Sequence, residues 1–377
     1  MHATGVLEWL RSSLSHSGPS SGKHIVRFTN PGDYRKILQA IQARRSSDSC
    51  WRGVRRLGII HGLSCPAAPE ELPPAFRQSL VVEEDPLVRI HAVPASLVEK
   101  GIPWGVRRIR APEVWSRTTG YQVKVGVIDT GVDFLHPDLR HSLERGINLI
   151  HRTMLPQDDN GHGTHIAGTI AAANQLQGMI GVAPRATIYP VKAFDYNGTA
   201  YVSDIILAID WCVRNRMHVV NMSFGMQTKS KALLSAVNNA YHSGVLIVAS
   251  SGNDGKRGDI DYPAGFAQTI AVGAINRQGK VAKFCNRSSL IDIYAPGERI
   301  VSSWLRNRLR EMSGTSMATS HVTGAIALLL AHKPGLTPEQ IKWVIRRSAR
   351  PLRQNKKLGS AGELDVVRML RVADRLP

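Results

Sequence analysis

The segment MSGTSMATSHVTGAIALLL, residues 312–330, sets a hydroxyl-rich turn, Ser313 to Ser320, directly before a stretch that is apolar on nearly every side. A helix without a polar face belongs in the middle of a domain, so the turn ahead of it is held on a rigid buried element. Such a turn can present a reactive side chain, and Ser316 is at its centre. Three further residues stand where chemistry could use them. Asp129 closes VGVID and is followed at once by Thr130 and Gly131, His162 lies in GHGTHIAGTIAAA, and Asn253 lies in VASSGNDG. Each also has an ordinary reading. A lone aspartate there serves as a helix cap or turn residue, the histidine belongs to a glycine-rich turn, and the asparagine amide makes local hydrogen bonds. His162 and His165 could hold a metal, but no third ligand with suitable spacing accompanies them.

These residues need a scaffold, and the sequence from Tyr121 onward supplies one. VKVGVID, VVNMSF, VLIVAS and TIAVGAI are short and rich in Val and Ile, as strands buried on both faces should be. YVSDIILAIDWCVRN and SKALLSAVNNAYHSG read as helices between them. The alternation predicts an α/β fold with a doubly wound, mostly parallel sheet and helices on both faces. In such sheets chemistry collects at the carboxyl ends of the strands, which is where Asp129 and Asn253 fall.

The chain before residue 95 has a different texture. After a Ser/Gly-rich stretch, Ser17 to Gly22, HIVRFT is a strand candidate, and DYRKILQAIQARR carries Ile37 and Ile41 at helical spacing. VRRLGIIHGL, PEELPPAFRQSL and VVEEDPLVRIHAV then read as strand, helix and strand. A module of about 70 residues is small for a free domain but feasible for one that leans on a larger neighbour. Pro94 and the polar run to Gly105 read as a linker. The chain thus divides into an N-terminal extension (1–22), a small α+β domain (23–92), a linker (93–105) and a main domain (106–377).

The 377 residues, 43% hydrophobic and 20% charged, fit a soluble globular chain with a substantial core and exclude disorder as the default. The 48 basic residues outnumber the 29 acidic ones, a net charge of +19. Such an excess suits a polyanionic partner or, equally, a solvated basic surface. Cys50, Cys65, Cys212 and Cys285 follow no C-x-x-C spacing, so they read as buried thiols, not as a zinc ribbon or redox pair. No uninterrupted apolar stretch of about 18 residues argues for a membrane span. Glu8 and Arg11 interrupt the apolar start, and no signal peptide is recognised from it.

In their order along the chain, VIDTGVD, GHGTHIAGT, SSGN and GTSMATSHVTG make this sequence resemble the subtilisin-like serine proteases, the subtilases. The resemblance runs from about Ile102 to about Val372 and takes in IPWGVRRIRAPEVW, GVAPRATIYPVK, VVNMSFG and YAPG. The module from about His24 to His91 is similar to the inhibitory propeptide of secreted members, above all in HIVRFT and VVEED. The resemblance implies a ferredoxin-like propeptide domain, a processing site within 93–105 and a serine endopeptidase made as a self-processing precursor outside the cell. It implies a catalytic triad of Asp129, His162 and Ser316, in the chain order that subtilisin has. A serine hydroxyl is a poor nucleophile at neutral pH, so His162 would take its proton while Asp129 fixes the imidazole tautomer. The backbone N–H of Ser316 and the amide of Asn253 would face the oxyanion of the tetrahedral intermediate.

Further roles follow from the same resemblance. Gly198, Thr199 and Ala200, with Ser223, Phe224 and Gly225, match the two segments that bind an extended peptide as an added strand. Met226 replaces a frequent glycine and would reshape the first specificity pocket, where Asp254 could favour basic side chains; the plainer reading of Asp254 is an exposed carboxylate. Ser320 stands where the family usually has proline, a change expected to cost rigidity more than mechanism. A structural calcium is implied with Asp138, the side chain of Gln175 and the carbonyls of Ala173, Gln177 and Met179, an oxygen set that calcium prefers. Lys100 falls where the family has a glutamine ligand and would repel the ion. The expected partners are protein substrates and the chain's own propeptide, around a monomer. A scaffold of the same fold that binds a partner without catalysis is the alternative, and all four site residues being intact argues against it.

Overall fold

Strands apolar on both faces must be covered on both, and that requirement organises the main body. In the computed structural model, which describes residues 3–15, 22–66, 72–90, 93–95, 101–174, 178–352 and 361–377, seven strands pair in parallel. Their order across the sheet is Ile293–Pro296, Thr269–Ile275, Leu246–Ser250, Val219–Met222, Lys124–Asp129, Thr187–Lys192 and Ile147–Asn148. Every residue of Leu246–Ser250 and Thr269–Ile275 is buried. Helices cover both faces: His162–Ala171 packs on Thr315–His332, and Val202–Arg214 packs on Lys231–His242. Helix Thr315–His332 is buried continuously from Thr315 to Leu329, as its lack of a polar face requires.

Strand order reverses between Lys124–Asp129 and Val219–Met222. That switch point opens a crevice beyond the strand ends, where the loops diverge to either side.

The N-terminal domain has its own core. Strands Arg55–Leu57, Gly62–Cys65, His24–Phe28 and Leu80–Glu84 form an antiparallel sheet in that order, the arrangement of the ferredoxin-like split βαβ motif. Helix Pro31–Arg44 starts at Asn30, whose side chain accepts from the N–H groups of Gly32 and Asp33. VRRLGIIHGL is two strands separated by a 3₁₀ turn, Gly58–Ile60, with His61 left-handed at φ 50°. PEELPPAFRQSL forms, among its described residues before Leu80, a 3₁₀ turn, Pro74–Phe76, and no α-helix, because adjacent prolines cannot extend one. VVEEDPLVRIHAV is broken at Pro86, which has no N–H for a ladder, into Leu80–Glu84 and Leu87–Ile90.

Two segments outside that domain's expected bounds are also ordered. The N-terminal extension contains helix Ala3–Ser15, whose Val6, Leu7, Trp9 and Leu10 join Ile37, Ile41 and Trp51 in the small core. Glu8 and Arg11, which broke the apolar pattern in sequence, lie on its exposed side. Within the expected linker, Val93–Ala95 is a strand paired with Arg308–Ser313. His91, Ala92 and Lys100 lie outside the described residues.

Two carboxylates join the domains at helix N-termini, where unpaired N–H groups and the helix dipole favour negative charge. Glu83 accepts from Ser230 Oγ (2.6 Å) and from the N–H groups of Lys231 and Ala232 (3.0 and 2.8 Å), ahead of helix Lys231–His242. Asp85 accepts from Ser203 N–H (2.7 Å) at the start of Val202–Arg214. Arg55 adds an ion pair to Asp204 (2.6 Å).

Cys65, Cys212 and Cys285 are buried and Cys50 partly so, all as free thiols; burial pushes Cys65 up to about 12 and Cys50 up to about 11. No helix among the described residues is long and apolar enough to cross a membrane.

Candidate active site

Asp129 ends the strand on one side of the switch point, and Thr130 and Gly131 turn the chain away at φ 104° for Gly131. The next wall is helix His162–Ala171, set so close that a Cβ on Gly163 would stand 2.1 Å from the carbonyl of Gly131. Glycine at 163 is therefore what lets His162 approach Asp129. The two side chains meet with His162 Nδ1 2.7 Å from Asp129 Oδ1, and both are fully buried. Asp129 Oδ1 also accepts from Thr130 N–H (2.8 Å). An imidazole with Nδ1–H committed to a carboxylate presents Nε2 as the acceptor for a second group. His162 Nε2 is buried without a hydrogen-bond partner among the described residues.

Ser316 is the second residue of helix Thr315–His332, where backbone N–H groups have no partner within the helix. Its Oγ donates to the carbonyl of Ser223 (2.8 Å), and Ser223 Oγ donates back to the carbonyl of Ser316 (3.1 Å). Asn253 Oδ1 accepts from both Thr315 N–H (3.0 Å) and Thr315 Oγ1 (2.8 Å). With the amide oxygen tied to Thr315, the NH₂ end of Asn253 is the donor beside the start of the helix. Ser320 does not interrupt that helix: its hydroxyl bonds the carbonyl of Met317 (2.8 Å) and the helix runs on to His332.

Three positioning residues escaped sequence reasoning. Asp158, buried, accepts from Thr130 Oγ1 (2.8 Å), Gly161 N–H (2.9 Å), Thr164 N–H (2.9 Å) and Thr164 Oγ1 (2.6 Å), tying the Asp129 turn to the histidine helix. An acidic residue just before a glycine-rich helix start was its one signal. Asn221 donates to Ser223 Oγ (2.8 Å) and accepts from Thr323 (2.9 Å), and Thr315 holds Asn253; neither has a local signature. His165, by contrast, points its Nε2 at the carbonyls of Ile300 and Arg310 (both 3.1 Å), and burial drives its pKa down to about 3.

The cleft beside these residues holds a strand of the chain itself. Leu87–Ile90 lies antiparallel between Thr199–Tyr201 and Phe224–Gly225, with Ala200 opposite Val88 and Phe224 opposite Ile90. Ile90 N–H donates to the carbonyl of Gly198 (3.2 Å). The backbone of Met226 exchanges hydrogen bonds with that of Tyr262 (3.0 and 2.8 Å). Asp254 is exposed and shares its charge with Lys256 Nζ (3.4 Å), while Gln227 donates to it (3.3 Å).

The residues suggested for calcium divide. Gln175 and Gln177 lie outside the described residues. Asp138 is buried, and the loop crosses it with bare backbone: a Cβ on Gly178 would stand 1.9 Å from Oδ1. Asn174 Nδ2 (2.9 Å) and Ser303 Oγ (3.1 Å) donate to its oxygens. Its one ion-pair contact among the described residues is His136 Nδ1, at 3.8 Å. A buried carboxylate with no Lys or Arg partner among the described residues fits a hard cation, while the carbonyl of Met179 already accepts from Asn174 N–H (3.0 Å).

A buried Asp–His couple and a serine at the start of the helix that packs on the histidine's own, at the switch point of a parallel sheet, suit an α/β serine hydrolase. Residues 120–365 match the family model described as the subtilase family. The chain is 42% identical over 262 residues to subtilisin Savinase of Lederbergia lenta, covering 69% of this chain and 96% of that protein. It is 40% identical over 304 residues to an alkaline protease of Alkalihalobacillus alcalophilus, 79% of this chain and 76% of the relative. Over 266 residues it is 42% identical to subtilisin E of Bacillus subtilis (strain 168), 69% and 68% of the two chains. The chain belongs to the subtilase family and is a serine-type endopeptidase.

Proposed function

We propose that Asp129, His162 and Ser316 are the catalytic triad, on the strength of the 2.7 Å bond between His162 Nδ1 and Asp129 Oδ1. Rotation of the Ser316 hydroxyl from the Ser223 carbonyl toward His162 Nε2 starts the reaction. Nε2 takes the hydroxyl proton as Oγ attacks the scissile carbonyl, forming the tetrahedral intermediate. Asp129 stabilises the imidazolium without taking its proton. The new oxyanion is met by Asn253 and by the N–H of Ser316, already held in place before charge develops. His162 then protonates the leaving amine, and water repeats the sequence on the acyl-enzyme.

Gly198, Thr199 and Ala200 form one rim of the substrate cleft, and Ser223, Phe224 and Gly225 the other. A substrate lies between them as the middle strand of three, the place that Leu87–Ile90 takes here. Residues 23–92 are accordingly an inhibitory propeptide, cut from the body by Ser316 at a bond within the processing region and then held in the cleft as product. The helix Ala3–Ser15 belongs to the propeptide through the shared core. Asp254, shared with Lys256, gives at most a weak preference for basic side chains. The mature enzyme acts as a monomer outside the cell. A serine-reactive fluorophosphonate tests the triad: it should label Ser316 in the matured protein, and labelling that survives His162→Ala at the same rate would overturn the assignment.

Asp138, with the carbonyls of Ala173 and Met179, would hold a structural calcium ion, which supplies positive charge to a buried carboxylate. Binding only to the folded state must raise its stability. The Ser316→Ala protein should melt higher in millimolar calcium than in chelator; equal midpoints with no calcium found by elemental analysis would contradict this.

A further inference from the structure

We infer that the seam between the N-terminal domain and the main body holds a binding site for a compact, multiply charged phosphate chain. The cavity there, about 570 Å³, is lined from one side by Arg45, Arg52, Arg55 and Arg56 and from the other by Arg152 and Arg214. Arg55–Leu57 is the edge strand of the small sheet, so the cavity runs along an edge that no further strand covers among the described residues. Its volume falls in the ~300–1,000 Å³ range of small-molecule sites.

Charge in the cavity is not balanced by the protein. Asp210 is the one acidic residue of the lining, and it pairs with Arg214. Arg55 pairs with Asp204 (2.6 Å). Six guanidinium groups therefore face two carboxylates, leaving an excess of four positive charges. Arg45 Nη2 donates only to the carbonyls of Arg52 and Val54 (3.2 and 3.4 Å), and Arg56 Nε to the hydroxyl of Tyr34 (3.1 Å). The side chains of Arg52 and Arg152 make no hydrogen bond or ion pair among the described residues. Like charges gathered along a concave wall focus a positive potential at its open side, where all of the six but Arg55 are exposed. Guanidinium forks match phosphate oxygens bidentately, which makes a phosphate chain the fitting occupant. Val54, Ile147, Leu149 and Trp211 supply an apolar wall beside the charges.

A ligand in this cavity touches both domains, so it binds the joined pair more tightly than either part. By linkage it must also hold the pair together. The consequence for latency rests on reading residues 23–92 as a propeptide that leaves after cleavage; binding itself does not. The excess positive charge of the chain thus has a local use.

The test is calorimetric titration of the full-length Ser316→Ala protein with tripolyphosphate at ~0.15 M ionic strength, where exposed charges are largely screened. A saturable one-to-one isotherm is expected, weakened at least about tenfold by Arg52→Ala with Arg152→Ala, both exposed positions outside either core. Arg347→Ala, elsewhere on the surface, should leave it unchanged. The inference is overturned by no saturable binding, by undiminished binding in the double variant, or by equal heat from sulfate at matched ionic strength, which would mark an adventitious ion only. ATP separates the two sources of such a chain. Tighter binding than tripolyphosphate assigns a nucleotide with its base on Trp211, and equal or weaker binding assigns a free polyphosphate. Maturation of the wild-type protein, followed on a gel, reports separately on the propeptide reading.

Discussion

The main body and the N-terminal domain solve the problem of order by different means. In the body, strands buried on both faces, a helix buried over fifteen consecutive residues and glycine-only contacts such as Gly163 on Gly131 leave the site residues no freedom. The N-terminal domain has a core of fourteen buried apolar residues and an open sheet edge. It meets the body through carboxylates at helix ends, an ion pair, a strand laid in the cleft and an apolar patch of Ile25, Leu57 and Ile60 packed into the body's core. The difference separates two duties. Chemistry needs a rigid frame, and on the propeptide reading proposed above the smaller domain needs only to hold its strand in the cleft.

His162→Ala should break the chemistry of the body while sparing the contacts between the domains. We expect an uncut chain with the N-terminal domain still bound and, once an added protease removes that domain, a loss of about 10⁶-fold in kcat, a magnitude taken from a subtilisin. A residual rate within about tenfold of wild type would place the base elsewhere.

Trp9→Ala strikes the other region. Trp9 is buried against the Phe76 ring (centroids 6.4 Å apart) in a core too small to spare it, so the domain should lose about 3–5 kcal/mol. Inhibition of the mature enzyme by the separated domain should weaken in proportion, while the melting midpoint of the mature body stays fixed. Unchanged inhibition would show that helix Ala3–Ser15 is dispensable to the fold.

Acid should act on the body through two buried histidines. Burial lowers His165 to about 3 and His321 to about 4, from an ordinary 6.5, so both are neutral in the fold. The unfolded chain binds protons at both as pH falls below 6.5. Their stabilisation is whole above that pH and is lost progressively toward pH 4 and below. The Ser316→Ala protein should melt several degrees lower at pH 4.5 than at pH 7.5. A flat profile across that window would show that these histidines are protonated in the fold as they are outside it.

Legibility in the sequence followed the same divide. The body's strands were readable because they are apolar runs, and the candidate site residues stand at or just past their ends, Asp129 closing one and Asn253 three residues beyond Ser250. Asp158, Asn221 and Thr315 were not, because each acts through partners distant in sequence: Asn221 reaches Thr323, and Thr315 reaches Asn253. In the N-terminal domain the strand between Arg55 and Cys65 proved to be two, since Gly58 and the left-handed His61 fold it back. Helix Ala3–Ser15 was hidden by Glu8 and Arg11, charges that mark its outer face. The strand Val93–Ala95 was hidden because its pairing partner lies more than two hundred residues on.

The central claim is that Ser316, activated by His162, cuts the chain that lies across its own cleft. Intact mass and N-terminal sequencing of the wild-type and Ser316→Ala proteins, purified and incubated side by side, test it most directly. The account predicts a new N-terminus between His91 and Gly105 in the wild type and an uncut chain in Ser316→Ala. Maturation of the alanine variant to the same terminus at the same rate would contradict it.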